Sequence, residues 1–166
     1  GAIKRPRERA RGRENKKKRR NGCMMVSTKG RYALRVMIDL AEHQAEGYIP
    51  LKAIARRQDI SEKYLESILK SLVQSQFLTG VRGKGGGYRL TRPPEQYTVG
   101  SILRLTEGSL APVACLEQEP VECPRRAECR TLPMWRKLNA LVQDYLDGVT
   151  LADLTAEAQS ADHYVI

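Results

Sequence analysis

The chain has 166 residues, 41% hydrophobic and only 5% aromatic, enough for one domain with attachments and a modest, mostly aliphatic core. Its apolar runs are short and broken by charge, which excludes a transmembrane helix, and the first residues lack the apolar stretch of a signal peptide, so a cytoplasmic location is expected. The net charge of +10 points to a polyanionic partner.

That charge is unevenly spread. Residues 1–23 hold eleven Lys/Arg against two Glu, residues 24–98 hold 12 basic and 7 acidic residues, and residues 99–166 hold 6 basic and 10 acidic. The body is therefore polarised, with a basic front half suited to face a nucleic acid. Residues 1–23 cannot form a core and read as a disordered basic leader, either a tag-like extension or an arm on nucleic acid. Met24 and Met25 follow at once and read as the start of the folded chain, which leaves Cys23 outside any site.

From Thr28 to about Glu46, Tyr32, Ala33, Val36, Met37, Leu40 and Ala41 recur at three- and four-residue spacing, predicting an amphipathic helix capped by Ser27 or Thr28. Lys29, Arg31 and Arg35 lie near its start. Gly47 and Pro50 end it, and a short helix over Leu51–Gln58 follows with Ile54 and Ala55 inward. Asp59-Ile60-Ser61 is a tight connection, with Ser61 as N-cap of a third helix from Glu62 to about Ser75. Leu65, Ile68, Leu69, Leu72 and Val73 form its buried face, and Lys63, Tyr64, Ser67, Lys70 and Ser71 its outer one. Two short helices around a tight turn, the second rich in hydrogen-bonding side chains, make a helix-turn-helix; the plain alternative is a helical hairpin.

Phe77–Thr79 and Tyr88–Thr91 read as short strands flanking Gly80-Val81-Arg82-Gly83-Lys84-Gly85-Gly86-Gly87, the hairpin wing of a winged helix. A phosphate loop would need Lys followed by Ser or Thr at the start of a helix; here Lys84 precedes Gly85 and a strand. Arg82 and Lys84 on a bare glycine tip suit a narrow minor groove. Pro93-Pro94 closes the wing, and Thr98 caps a fourth helix over Val99 to about Glu107, with Ile102, Leu103 and Leu105 apolar.

Three of the four cysteines, Cys115, Cys123 and Cys129, fall in a stretch that prolines and charges keep irregular. In a reducing compartment such a cluster binds metal or does redox work more often than it forms structural disulfides. Thr131 then caps a helix running to about Asp147, where Gly148 stops it, with Pro133 in the first turn. Trp135, Leu138, Val142 and Tyr145, flanked by Met134, Leu141 and Leu146, form a stripe broader than one small domain needs, which predicts a helix–helix dimer seam. Thr150 caps a short last helix with Asp153 as its reciprocal partner, after which the chain is expected to fray.

Ser27-Thr28-Lys29-Gly30-Arg31-Tyr32-Ala33-Leu34, Ile60-Ser61-Glu62-Lys63-Tyr64-Leu65-Glu66 and Val81-Arg82-Gly83-Lys84-Gly85-Gly86-Gly87-Tyr88 together resemble the Rrf-two (Rrf2) family of bacterial winged-helix regulators, from Met24 to about Thr155. The cysteines, with Leu132–Leu138 and Thr150–Leu154, resemble the subset that binds an iron–sulfur cluster and regulates cluster biogenesis. The resemblance implies a homodimer, with the helix from Glu62 in the major groove and the wing in the minor groove of operator DNA. It implies base-edge contacts at Lys63 and Ser67, discrimination between operator types at Glu66, a groove-reading arginine at Arg82, and backbone contacts near Ser27, Thr28 and Arg31. Two departures stand out. The interval from Cys115 to Cys123 is longer than in that pattern, and Leu132 stands where the pattern has a histidine ligand. Where related members take a fourth ligand from the partner's first helix, the comparable positions here are Arg31 and Arg35.

A [2Fe–2S] cluster takes four protein ligands, and the thiols supply three. The fourth falls to a carboxylate among Glu117, Glu119, Glu122 and Glu128, to a distant residue or to a small exogenous ligand; His43 and His163 lie away from the loop. Cys129 precedes a helix N-terminus that favours a thiolate, and Arg125, Arg126 and Arg130 add positive charge. Zinc or a metal-free thiol switch are the competing chemistries.

The expected fold is mainly α: a winged helix-turn-helix DNA-binding domain with a small β-hairpin wing and a long C-terminal dimerisation helix. Residues 1–23 form the leader, 24–98 the DNA-binding domain, 99–157 the cysteine sensor loop and dimerisation helix, and 158–166 a tail. The expected function is a transcriptional regulator, a repressor of iron–sulfur cluster biogenesis genes, sensing through a [2Fe–2S] cluster on Cys115, Cys123 and Cys129, with iron–sulfur assembly proteins as donors. Thr28, Arg31, Lys63, Tyr64, Glu66, Ser67, Lys70, Arg82 and Lys84 are the candidate DNA contacts. The alternative is a regulator of the same fold answering to cysteine and sulfur status, nitric oxide or redox state through thiols or a partner protein. An enzyme is not expected, because the chain has no Cys-x-x-Cys motif and no base–nucleophile pair.

Overall fold

The structure is a computed structural model that describes residues 26–118, 120–121 and 123–161. The basic leader through residue 23, Cys23 within it and the fraying end from residue 162 lie outside the described residues.

Helix α1 (Thr28–Glu42) buries Ala33, Val36, Met37, Leu40 and Ala41, the face its spacing predicts. Ser27 caps it, its hydroxyl accepting from the Gly30 amide at 3.1 Å. The helix ends four residues before the expected Glu46, and Gln44–Glu46 form a 3-10 turn instead. The His43 ring nitrogen competes for the Asp39 carbonyl at 2.8 Å, and Gly47 with φ +79° turns the chain away.

Helix α2 (Leu51–Gln58) closes at Asp59 in the left-handed region, φ 52° and ψ 53°. Ser61 then caps α3 (Glu62–Gln74) by accepting from the Tyr64 amide. Leu65, Ile68, Leu69 and Leu72 of α3 are fully buried, each contributing roughly 1.5–3 kcal/mol of apolar burial. Val73 is half-buried at the margin.

Gln76, at φ 59°, turns the chain into β1 (Leu78–Val81), which pairs antiparallel with β2 (Gly87–Leu90) from Leu78 opposite Leu90 to Val81 opposite Gly87. The pairing reaches further toward the tip than the expected Phe77–Thr79 and Tyr88–Thr91. At the base, the Tyr97 hydroxyl accepts from the Thr91 and Arg92 amides and donates to the Phe77 carbonyl, so it stands in for ladder bonds there. A third partner was not foreseen: Ile49 exchanges both backbone bonds with Tyr88 at 2.9 Å. A Cβ on Gly87 would run into the Ile49 carbonyl, so glycine is required where the wing crosses that segment.

Helix α4 (Val99–Glu107) is capped by Thr98, which accepts from the Ser101 amide at 3.1 Å. After the irregular loop comes α5 (Leu132–Gly148), and the chain then returns beside α4. Val99 donates to the Val149 carbonyl and Leu151 to the Tyr97 carbonyl. Helix α6 (Leu151–Ala161) starts on the expected reciprocal cap: the Thr150 amide and hydroxyl donate to the Asp153 carboxylate, and the Asp153 amide donates back to the Thr150 hydroxyl. Leu151 and Ile102 are fully buried in the same core as α1 and α3.

Two details of α5 differ from expectation. Thr131 precedes the helix but its side chain makes no cap bond; its own backbone is already helical, φ −92° and ψ −10°, so its hydroxyl turns to Cys129 instead. Gly148 is the last helical residue, and extended Val149 ends the helix. Only Leu132 of α5 is buried, while Met134, Leu138, Leu141 and Tyr145 are 54%, 36%, 59% and 71% exposed. Among the described residues, no helix is long and apolar enough to cross a membrane.

Candidate nucleic-acid interface and thiol loop

The outer face of α3 carries Lys63, Glu66, Ser67 and Lys70, all exposed. Tyr64 is different. It is half-buried and meets the Tyr32 ring edge-on, 5.9 Å between centroids. Of the α3 candidates it alone is tied into α1. Ser67 donates to the Tyr64 carbonyl at 2.7 Å and Ser71 to the Ser67 carbonyl at 3.3 Å, so both hydroxyl protons are used by the helix backbone.

A buried network behind this face sets the turn that aims α3. Asp39 on α1 is 1% exposed and accepts a forked pair from Arg57 at 2.8 and 2.6 Å and a bond from the Gln58 amide at 2.9 Å. The same hydrogen bonds to Asp39 raise the Arg57 guanidinium above its ordinary value, keeping it charged. Arg35 donates to the Gln58 side-chain and backbone oxygens and stacks over Tyr32 at 5.1 Å. Asp39, Gln58, Arg35, Tyr32 and Tyr64 thus form a continuous path from the core of α1 through the end of α2 to α3. None of these except Tyr64 was singled out as a site residue from sequence. The only signal was an Asp beside the apolar face of one helix and an Arg-Gln pair closing the next, and pairing them needs the tertiary fold.

Thr28 and Arg31 are exposed on the first turn of α1, with Arg31 donating to Thr28 at 3.4 Å. Lys29 reaches α3, its Nζ 3.4 Å from Ser71 Oγ. The wing tip is a turn closed by Gly86 donating to the Gly83 carbonyl at 3.0 Å. Arg82 and Lys84 on it are exposed. Gly85 at φ +77° supplies a backbone state that a side chain would strain. Arg89 and Arg92, at the wing's base, lie over the rings of Tyr48 and of Tyr97 and Phe77.

In the loop, Cys115 lies in the 3-10 turn Ala114–Leu116, Cys123 opens the turn before Cys129, and Cys129 sits three residues before α5 is under way at Leu132. All three are free and half-buried. All three border one small apolar cluster of Ala111, Leu116, Val121 and Leu132. Leu132, in the place of the expected histidine, is 8% exposed and packs inside that cluster. The Thr131 hydroxyl, 3.4 Å from Cys129 Sγ, holds that thiol below its usual value, helped by the Thr131 and Leu132 amides and more weakly by Arg125.

Among the described residues, no three His, Cys, Asp or Glu side chains converge to hold a metal ion. The donor set is thiolate-rich as a cluster requires, but the sulfurs as placed do not close a cage. Glu117 and Glu128 are exposed, whereas Glu119 and Glu122 lie outside the described residues. His43 is engaged with Asp39, and His163 lies outside the described residues.

A helix-turn-helix whose second helix presents a polar face, followed by a hairpin with a cationic glycine tip, defines a winged-helix DNA-binding protein. The chain belongs to the Rrf2 family, described as iron-dependent transcriptional regulators, whose profile matches residues 26–157. It is 37% identical over 134 residues to the HTH-type transcriptional regulator IscR of Aliivibrio salmonicida, covering 81% of this chain and 79% of that one. It is 39% identical over 133 residues to the HTH-type transcriptional regulator CymR of Bacillus subtilis, covering 80% and 91%. Among solved structures, IscR of T. potens superposes with a TM-score of 0.67 at 39% identity, covering 82% of this chain and 90% of that one. CymR, the global cysteine regulator of B. subtilis, does so at 0.66 and 38%, covering 80% and 97%. The protein is accordingly a DNA-binding transcriptional regulator and not an enzyme.

Proposed function

We propose that this regulator represses iron–sulfur cluster biogenesis genes and senses through a [2Fe–2S] cluster held by Cys115, Cys123 and Cys129. The observation that carries the reading is three free, half-buried thiols around one apolar cluster at the root of α5. Relatives named IscR support it. When bound, the cluster would supply an oxygen- and redox-labile crosslink between the three thiolates. This chain's residues would contribute a preformed thiolate tendency at Cys129 and three thiols bordering one apolar cluster. Three thiolates with a fourth ligand of another kind would make the site labile, as suits a sensor.

Lys63 and Ser67 would read base edges and Glu66 would select between operators. Arg82 would enter the minor groove, and Thr28, Arg31, Lys70 and Lys84 would meet phosphates. Tyr64, packed on Tyr32, would set the pose of α3 more than read bases. The exposed stripe Met134, Leu138, Leu141 and Tyr145 would close a homodimer, giving two recognition helices for two half-sites. Iron–sulfur assembly proteins are the natural donors.

A second reading has its own support. The depressed Cys129 thiol and the similarity to CymR favour a thiol or partner-protein signal of cysteine, sulfur, nitric oxide or redox state without a stable cluster. Anaerobic reconstitution with iron and sulfide decides between them. A visible absorption band, with iron and sulfide each near two per chain (about two, as the cluster formula requires) and lost in Cys123→Ser, supports the cluster. A colourless, iron-free protein with full DNA affinity selects the second reading.

A further inference from the structure

Glu107 is the last residue of α4, and its carboxylate reaches across to another helix. Its Oε1 accepts from the Ser27 hydroxyl at 2.6 Å and from the Ser27 amide at 3.2 Å. Ser27 in turn caps α1 through the Gly30 amide. A carboxylate at this end of α1 also sits where the helix dipole favours negative charge. Gly30 is what permits the approach: a Cβ there would run into the Glu107 carboxylate and lie 3.2 Å from Thr106 Oγ1. The glycine of the Ser27–Leu34 motif is therefore explained by packing against α4.

On its other side, Glu107 is joined to the thiol loop by a short, pinned connection. Gly108, at φ +81°, caps α4 by donating to the Arg104 carbonyl. Leu110 is buried beside Val99 and Leu103, and Ala111 is buried in the cluster that the three cysteines border. Neighbouring residues anchored in two different clusters leave little slack. A change of packing around the thiols would therefore reach the last turn of α4 through three residues, Gly108 to Leu110. Beyond Ser27, the first turn of α1 carries Thr28 and Arg31, and Lys29 touches Ser71 on α3.

We propose that Glu107 is a positioning residue that couples the state of the thiol loop to the DNA-contacting end of α1, and through Lys29 and Ser71 to α3, by holding the Ser27 cap. This rests on the sensing reading above, and only its mechanism of transmission is new.

The test uses full-length protein in a Cys23→Ser background, with the loop thiols either free or converted to S-methyl disulfides. The probe is a duplex that the wild-type protein selects from a random pool. The readout is the ratio of DNA affinities between the two thiol states, beside thermal unfolding. A useful switch couples sites by about 5–150-fold. The wild-type ratio is expected to be about tenfold, and that of Glu107→Gln within about twofold of unity, with one state retaining near wild-type affinity. A merely structural Glu107 would weaken both states equally and leave the ratio at its wild-type value, which overturns the proposal alone. Ser27→Ala is the second variant should Glu107→Gln fail to fold; it removes both the hydroxyl bond to Glu107 and the cap on the Gly30 amide, leaves only the backbone amide bond to Glu107, and should bring the ratio toward unity, whereas an unchanged ratio again overturns the proposal. A wild-type ratio of one means that the thiol state does not reach the DNA contacts, which overturns the thiol-switch form of the sensing reading and the proposal with it, an outcome distinct from the others.

Discussion

At the scale of single residues, the chemistry concentrates at two cations on glycine and one thiol beside a hydroxyl. Arg82 stands exposed on a wing tip that presents almost no other side chains. Arg82→Ala should cost about 1–3 kcal/mol of operator affinity and flatten the preference for narrow-groove sequences. Binding titrations at fixed salt on A-tract and mixed-sequence duplexes would measure this, and an unchanged affinity would contradict the wing's role. The thiol at Cys129 is held below its usual value chiefly by the Thr131 hydroxyl. A depressed thiol is already ionised at pH values where an ordinary cysteine is protonated. Iodoacetamide should therefore label Cys129 at lower pH than a free cysteine. In Thr131→Ala the onset of labelling should move to higher pH, read by mass spectrometry of the loop peptide. An unmoved profile would show that the hydroxyl is not the cause. These residue types were legible in sequence, but Thr131 was read as a helix cap. A cap and a thiol partner present the same residue at the same position, and only the backbone angles separate them.

At the scale of elements, α5 is the least satisfied part of the fold. Arg104 binds Asp147 through two bonds of 2.7 Å and also donates to Gln143, which fixes its C-terminal half to α4. Its Met134, Leu138, Leu141 and Tyr145 still face solvent. An apolar stripe of this kind on a folded chain marks an association surface. On the proposed homodimer, Leu141→Glu with Tyr145→Glu should give a monomer in sedimentation while leaving the far-ultraviolet circular dichroism unchanged. Operator affinity should fall at least about 100-fold as half-site coupling is lost. A double variant that still sediments as a dimer would place the seam elsewhere. Helices α2 to α4 were predictable to within a residue because their caps and apolar spacing agree. Helix α1 was overextended because the His43–Asp39 contact is invisible to periodicity. The Ile49 bridge to the wing was missed because a one-residue pairing has no period at all.

At the scale of the whole molecule, charge and topology divide the labour. Residues 1–23 carry eleven basic residues and lie outside the folded core read from sequence. Their removal should reduce the slope of log affinity against log salt and weaken non-specific binding, because fewer counterions are released. The ranking of operator variants should stay the same, since base-reading side chains are untouched. A truncated protein with altered operator ranking would show that the arm reads sequence.

The amino-acid sequence by itself determined the element order, the helix-turn-helix, the glycine wing, the apolar stripe of α5 and the position of the thiols. Each is written in local spacing and in residues with a fixed backbone preference. Only the tertiary structure decided that Asp39 closes the turn ahead of α3, that Tyr64 packs on Tyr32, that Leu132 fills the cluster beside the thiols, and that Glu107 grips Ser27 from 80 residues away. Those contacts join side chains whose local sequences carry no trace of one another, and they form because burial brings distant polar groups together and then requires them to be paired.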